Sequence, residues 1–137
     1  MKSWKGAAVL LAAMLGAIFF PGAGYAAGAI QNLSPKEAAA AIREHGPGKD
    51  FVLLDVRTPA EYREGHIEGS VLIDISSGRF KDEAERLDRG KTYLLYCRTG
   101  NRSEKAAAMM EEMRFGKILH MSSGITGWIK EGLPVVR

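Results

Sequence analysis

The sequence predicts one α/β domain built on a mostly parallel sheet, and three observations carry that expectation. After residue 30, short apolar runs alternate with segments that open on helix-capping residues. The apolar runs are too continuous to leave one face in water, the pattern of strands buried on both sides. The chain has 137 residues, 46% of them hydrophobic and 26% charged, and no repeat or low-complexity linker after residue 30 divides it.

The amino terminus reads as a targeting segment. Met1–Lys5 carries two lysines and no acid, Gly6–Phe20 carries no charge, and Pro21-Gly22-Ala23-Gly24-Tyr25-Ala26 ends in small residues. This predicts a secretory signal peptide, residues 1–26, cut after Ala26 with Gly24 three residues before the scissile bond. The uncharged stretch is short beside the roughly 20 apolar residues of a spanning helix, so no stable membrane anchor is expected after cleavage. Removing residues 1–26 takes two of the 19 basic residues and none of the 16 acidic ones, so the formal charge falls from +3 to about +1. The remaining basic residues alternate with acids, as along Arg79–Lys91, which excludes a nucleic-acid stripe. The expected domain is 27–137, and the expected location is the periplasm or the exterior.

Ser34-Pro35-Lys36-Glu37 is a capping box with proline in the first turn, so a helix is expected to run to His45 and stop at Gly46-Pro47-Gly48. Phe51–Val56 is a buried strand by composition. Thr58-Pro59-Ala60-Glu61 repeats the capping pattern and predicts a short helix ending at Gly65. Val71–Ile73 is a second strand, Arg79–Asp88 a polar helix ending at Gly90, and Thr92–Tyr96 a third strand. Arg102–Phe115 predicts a helix closed by Gly116, with Ala106, Met109, Met110 and Met113 forming its core face. Ile118–Met121 is a fourth strand and Ile125–Glu131 a last short helix, with Trp128 packing it onto the sheet.

Ligands of such sheets bind beyond the carboxyl ends of the strands. The single cysteine, Cys97, stands immediately after Thr92–Tyr96 and is followed by Arg98-Thr99-Gly100-Asn101-Arg102-Ser103, within which a helix begins. One cysteine excludes an internal disulfide and any metal site built from several thiolates. A thiol at a strand-to-helix junction faces unpartnered backbone N–H groups and the positive end of a helix, and two arginines add full charges. These conditions favour thiolate over thiol and predict a nucleophile rather than an inert core cysteine. Asp55 and Arg57 follow the first central strand and either orient this loop or form a structural salt bridge. His66 reads as structural, and His45 and His120 as background.

Three motifs in order resemble rhodanese-like domains: Leu53-Leu54-Asp55-Val56-Arg57-Thr58-Pro59-Ala60-Glu61-Tyr62-Arg63-Glu64-Gly65-His66-Ile67, then Tyr96–Ser103, then Gly124-Ile125-Thr126-Gly127-Trp128 through Gly132-Leu133-Pro134-Val135. They span residues 50–136. Glu68 and Ser70 stand where proline and alanine are common in the family, a departure that touches a turn. The resemblance implies a mostly parallel sheet of about five strands with helices on both faces, and a sulfurtransferase. Phosphatases and arsenate reductases of that fold place their arginine one residue further from the cysteine. Four residues separate Cys97 from Arg102 here, a smaller cradle suited to one sulfur atom. The loop is also basic, unlike the neutral loop of mercaptopyruvate-using relatives, which points to thiosulfate as donor.

The expected mechanism is double displacement through a Cys97 persulfide, with cyanide or another thiophile as acceptor. Backbone N–H groups from Arg98 to Ser103, including those of Thr99, Gly100 and Asn101, would cradle the terminal sulfur. Arg102, ahead of Arg98, would hold the donor's oxyanion end. No cofactor or metal is expected, and the expected state is a monomer. Two other classes fit less well: a non-catalytic rhodanese-fold binding module, which typically lacks the cysteine, and a small cysteine-dependent phosphatase or arsenate reductase, disfavoured by loop length.

Overall fold

The computed structural model describes residues 29–46, 48 and 50–137; the expected signal segment and its cut after Ala26 lie outside them. Helix entry follows the hydroxyl caps. Ser34 Oγ accepts from Glu37 N while Glu37 Oε2 accepts from Ser34 N, opening α1 (Pro35–His45), and Thr58 Oγ1 accepts from Glu61 N, opening α2 (Pro59–Glu64). The other helices are α3 (Phe80–Glu85), α4 (Asn101–Glu112) and α5 (Gly124–Lys130), with one 3-10 turn at Ile75–Ser77. The strands are β1 (Ile30–Leu33), β2 (Phe51–Asp55), β3 (Val71–Leu72), β4 (Thr92–Tyr96) and β5 (Lys117–Met121).

The five strands form one sheet in the order β1-β5-β4-β2-β3, and every pairing is parallel. Alternation along β4 sends Leu94 and Tyr96 to one face, where they meet Ala38, Ala39 and Ala41 of α1 and Ile125 and Trp128 of α5. It sends Tyr93, Leu95 and Cys97 to the other, where they meet Phe80 and Ala84 of α3 and Ala106, Ala107 and Met110 of α4. Helices on both faces account for the largely apolar central strands β2 and β4. Because all strands run the same way, their carboxyl ends share one edge of the sheet, and Cys97 lies there.

Some boundaries differ from expectation, each for a local reason. β1 was not anticipated: half of it is Gln31 and Asn32, both exposed, because it is an edge strand bonded only to β5. α3 is shorter than Arg79–Asp88; Arg79 provides no side-chain cap, and the last turn tightens through Arg86 N to Glu83 O and Leu87 N to Ala84 O. α4 ends before Phe115 because Arg114 is left-handed, with φ of 67°, and Phe115 N returns to Met110 O.

An ion pair joins three elements behind the site edge. Asp55 and Arg57 are both buried, and Arg57 Nη2 donates to Asp55 Oδ2 at 2.7 Å while Nε donates to Oδ1 at 3.0 Å. Nη2 also donates to Gly65 O at 2.7 Å, at the exit of α2, and the guanidinium stands 5.7 Å from the centre of the Tyr96 ring. Burial works against the Arg57 charge, but the hydrogen bonds and charge of Asp55 outweigh it and hold the guanidinium above its ordinary range. Tyr96 in turn accepts from Ile67 N and donates to Ser70 Oγ at 3.1 Å, so the serine that departs from the family pattern anchors the last residue of β4. Removing one partner of a buried pair leaves an uncompensated charge. Asp55→Ala is therefore expected to lower unfolding free energy by about 3–5 kcal/mol in urea titration; a loss below about 1 kcal/mol would mean that the pair behaves as a surface bridge.

Candidate active site

The reacting geometry starts from where β4 stops. Cys97 follows its last residue, Arg98 and Thr99 make the turn, and Gly100 precedes the first residue of α4. Two hydrogen bonds from backbone N–H groups pin the turn to α5: Ile125 N donates to Cys97 O at 2.9 Å and Thr126 N to Arg98 O at 3.1 Å. Gly100 has φ of 105°, and a β-carbon there would collide with the carbonyl of Ser122. Only glycine takes this position without strain, and it turns the loop amides inward.

The buried Cys97 Sγ accepts from Gly100 N at 3.1 Å and lies 3.3 Å from Ser103 Oγ. Burial pushes this thiol up, but the Ser103 hydroxyl and the amides of Ser103, Gly100 and Thr99 outweigh it, so Cys97 is held below the usual cysteine range. The hydrogen bonds carry the lowering, the backbone donors anticipated at this junction among them, ahead of the arginine charges anticipated with them.

The loop residues divide by burial. Gly100 and Ser103 are buried with the sulfur, Arg102 is half-buried, and Arg98, Thr99 and Asn101 are exposed. Arg102 is engaged by a residue that sequence reasoning treated only as part of a cap: its Nη1 and Nη2 donate to Glu61 Oε1 and Oε2 at 2.8 and 2.9 Å. The Glu61 hydrogen bonds, opposed by burial and reinforced by the charges of Glu61, Cys97 and Asp55, hold Arg102 above its ordinary range. The side-chain hydrogen bonds of Asp55 and Arg57 go to each other and to Gly65 O, none to residues 97–103, which selects the salt bridge from the two roles left open.

The treatment of His120 as background is corrected. Its Nε2 lies 2.7 Å from Ser103 Oγ and its Nδ1 3.0 Å from Asn32 Oδ1, so it is one bond removed from the sulfur's own partner. The available signal was a histidine near the carboxyl end of a strand whose other buried residues, Ile118, Leu119 and Met121, are apolar, two residues from Ile118 on the same face. His66 is structural: Nδ1 donates to Tyr62 O at 2.8 Å, and its ring stacks on that of Tyr62.

Chemically, the arrangement offers one sulfur ringed by N–H and O–H donors that favour its ionised form, suited to nucleophilic attack and to holding charge on one added atom. An apolar groove of about 750 Å³, lined by Ile42, Phe51, Ile67, Trp128 and Leu133 among others, includes none of residues 97–103. The small cradle, not this groove, faces the sulfur. Gly100→Ala is expected to lose both stability, by about 2 kcal/mol or more, and the depressed thiol pKa. Gly132→Ala, at φ of 74° with open space around it, should cost only about 1 kcal/mol. Equal losses in urea titration would contradict the close approach to Ser122.

Residues 34–131 match the family of rhodanese-like domains. A sulfurtransferase of Allochromatium vinosum is 31% identical over 88 residues, 64% of this chain and 80% of that protein. A probable adenylyltransferase/sulfurtransferase of Mycobacterium tuberculosis is 36% identical over 87 residues, again 64% of this chain but only 22% of that much longer protein. The crystal structure of a rhodanese-related protein from Thermoplasma volcanium superposes with a TM-score of 0.66 at 30% identity, covering 77% of this chain and 97% of that one. The parallel five-stranded sheet, the cysteine loop at its carboxyl edge and a match over residues 34–131 coincide, and the chain belongs to the rhodanese-like domain family.

Proposed function

We propose that this chain is a thiosulfate sulfurtransferase, exported through residues 1–26, that carries sulfane sulfur on Cys97. The observation that carries the reading is the short loop closing on one sulfur, with Gly100 N and Ser103 Oγ both within hydrogen-bond reach of Sγ. Sulfurtransferases among the relatives support the same reaction class.

The cycle needs no proton transfer. The Cys97 thiolate attacks the outer sulfur of thiosulfate; the new S–S bond forms as the bond to the sulfonate sulfur breaks, and its electron pair departs with sulfite. Charge then sits on the terminal sulfur of the persulfide, within the ring of loop amides. Cyanide carbon attacks that terminal sulfur, thiocyanate leaves, and the Cys97 thiolate returns. Arg102, fixed in direction by Glu61, retains N–H donors beyond the two that Glu61 takes and would hold the sulfonate oxygens, with the exposed Arg98 adding charge at the rim.

Incubation of the purified protein with thiosulfate should add the mass of one sulfur, absent in Cys97→Ala, and cyanide should release it as thiocyanate. No mass gain would remove the proposal. The same mass measurement on exported protein should place the first residue at Ala27; an intact Met1 would refute cleavage. Arg102→Ala should lower kcat/KM for thiosulfate about 10- to 100-fold, the scale of a charge-assisted hydrogen bond. Arg57→Ala should instead reduce the folded fraction and change kcat/KM little; equal losses in kcat/KM would contradict the assignment of the donor site.

A further inference from the structure

A continuous polar chain crosses the apolar α4 face of the sheet. Asn32 on β1 is paired in register with His120 on β5, and His120 with Leu95 on β4, two residues before Cys97. Through this register Asn32 reaches His120 Nδ1 at 3.0 Å, His120 Nε2 reaches Ser103 Oγ at 2.7 Å, and Ser103 Oγ reaches Cys97 Sγ at 3.3 Å. His120 and Ser103 are buried, where an unused polar group is costly. The catalytic cycle gives neither His120 nor Asn32 a task.

Counting protons assigns one. Ser103 Oγ has a single proton and three neighbours in reach: Cys97 Sγ, Gly100 O at 3.1 Å and His120 Nε2. A thiolate and a carbonyl only accept. If Nε2 is unprotonated it competes for the serine proton at the shortest of the three distances. If Nε2 carries a hydrogen it donates to Oγ, ceases to compete, and polarises the hydroxyl towards the loop. Asn32 Oδ1 against Nδ1 accepts from Nδ1–H and leaves Nε2 bare; a half-turn of the amide, which its exposed position on an edge strand allows, presents Nδ2–H to Nδ1 instead and favours the tautomer with its hydrogen on Nε2. Burial, opposed by the charge of Glu104 and by the backbone of Gly100, holds His120 below its ordinary range, so the ring works as a neutral donor–acceptor.

We propose that His120, oriented by Asn32, is a positioning residue that directs the Ser103 hydroxyl at Cys97 Sγ whenever that sulfur carries the negative charge. The inference rests on Cys97 being the reacting sulfur. When the persulfide forms, charge moves from Sγ to the terminal sulfur, and the Ser103 hydroxyl is released to Gly100 O at 3.1 Å. The relay thus follows the two charge states of the cycle without touching donor or acceptor.

The test reads the sulfur directly. Cys97 is the sole cysteine, so ultraviolet thiolate absorbance, blanked against Cys97→Ala, titrates it alone. Ser103→Ala and His120→Phe should each raise the midpoint by about half to one pH unit, a three- to tenfold smaller thiolate fraction at any pH below both midpoints. His120→Gln, which restores an N–H donor, should move the midpoint back. Ser103→Ala/His120→Phe should titrate like Ser103→Ala alone, because the effect passes through that hydroxyl. An unchanged or lowered midpoint in His120→Phe, an additive double variant, or a folded His120→Gln that fails to recover would overturn the relay. If His120→Phe does not fold, Asn32→Ala on the exposed edge strand decides: a smaller rise supports the relay, and no rise overturns it. Sulfur loading from thiosulfate is scored separately; its failure with the coupling intact would remove only the proposed activity, and its success without coupling would remove only the relay.

Discussion

An ionised sulfur inside a protein persists only where hydrogen-bond donors converge on it, since burial alone drives a thiol towards its neutral form. At Cys97 burial and hydrogen bonding act in opposite directions, and the hydrogen bonds win. That outcome depends on backbone more than on side-chain charge. The amides of Thr99, Gly100 and Ser103 point at Sγ because the loop turns through a left-handed Gly100 packed against the Ser122 carbonyl. The loop in turn holds its curvature because α5 donates two backbone hydrogen bonds to its first two carbonyls. The cradle belongs to the junction of β4, α4, β5 and α5, not to one motif.

The remaining polar features support that junction from different sides. Behind β4, the Asp55–Arg57 pair ties β2 to the exit of α2 and stands against Tyr96, whose hydroxyl is fixed between Ile67 and Ser70. Above the loop, Glu61 fixes the direction of Arg102, so the cation is oriented before any anion arrives, a preorganised arrangement. Across the sheet, Asn32 and His120 reach Ser103 from the edge strand. In each case a buried or half-buried charge or polar atom has its partners, and no described buried side-chain nitrogen or oxygen lacks one.

What the sequence discloses follows from how local the cause is. The hydroxyl caps at Ser34 and Thr58 act within four residues, so the starts of α1 and α2 are readable directly. The apolar strands and the cysteine after β4 are equally local, which is why Cys97, Gly100 and Ser103 could be picked out together. β1 escaped notice because an edge strand tolerates Gln31 and Asn32, and its evidence is pairing with a segment nearly ninety positions later. Glu61 and His120 were legible as residues but not as partners. Their roles arise from contacts with Arg102 and Ser103 across 41 and 17 positions, and such contacts require the strand order and register. Ser70 shows the same limit: a turn substitution in the chain, it is an acceptor for Tyr96 in the fold.

The central claim is that the hydrogen bonds around Cys97 hold its thiol below the ordinary cysteine range, and the rate of Cys97 alkylation by a small haloacetamide as a function of pH measures it most directly. The account predicts a rate profile whose midpoint lies below the ordinary cysteine value of about 8.5, with a plateau reached by mild alkalinity. A midpoint at or above about 8.5 would show that burial prevails over the loop amides, and would contradict the account at its base.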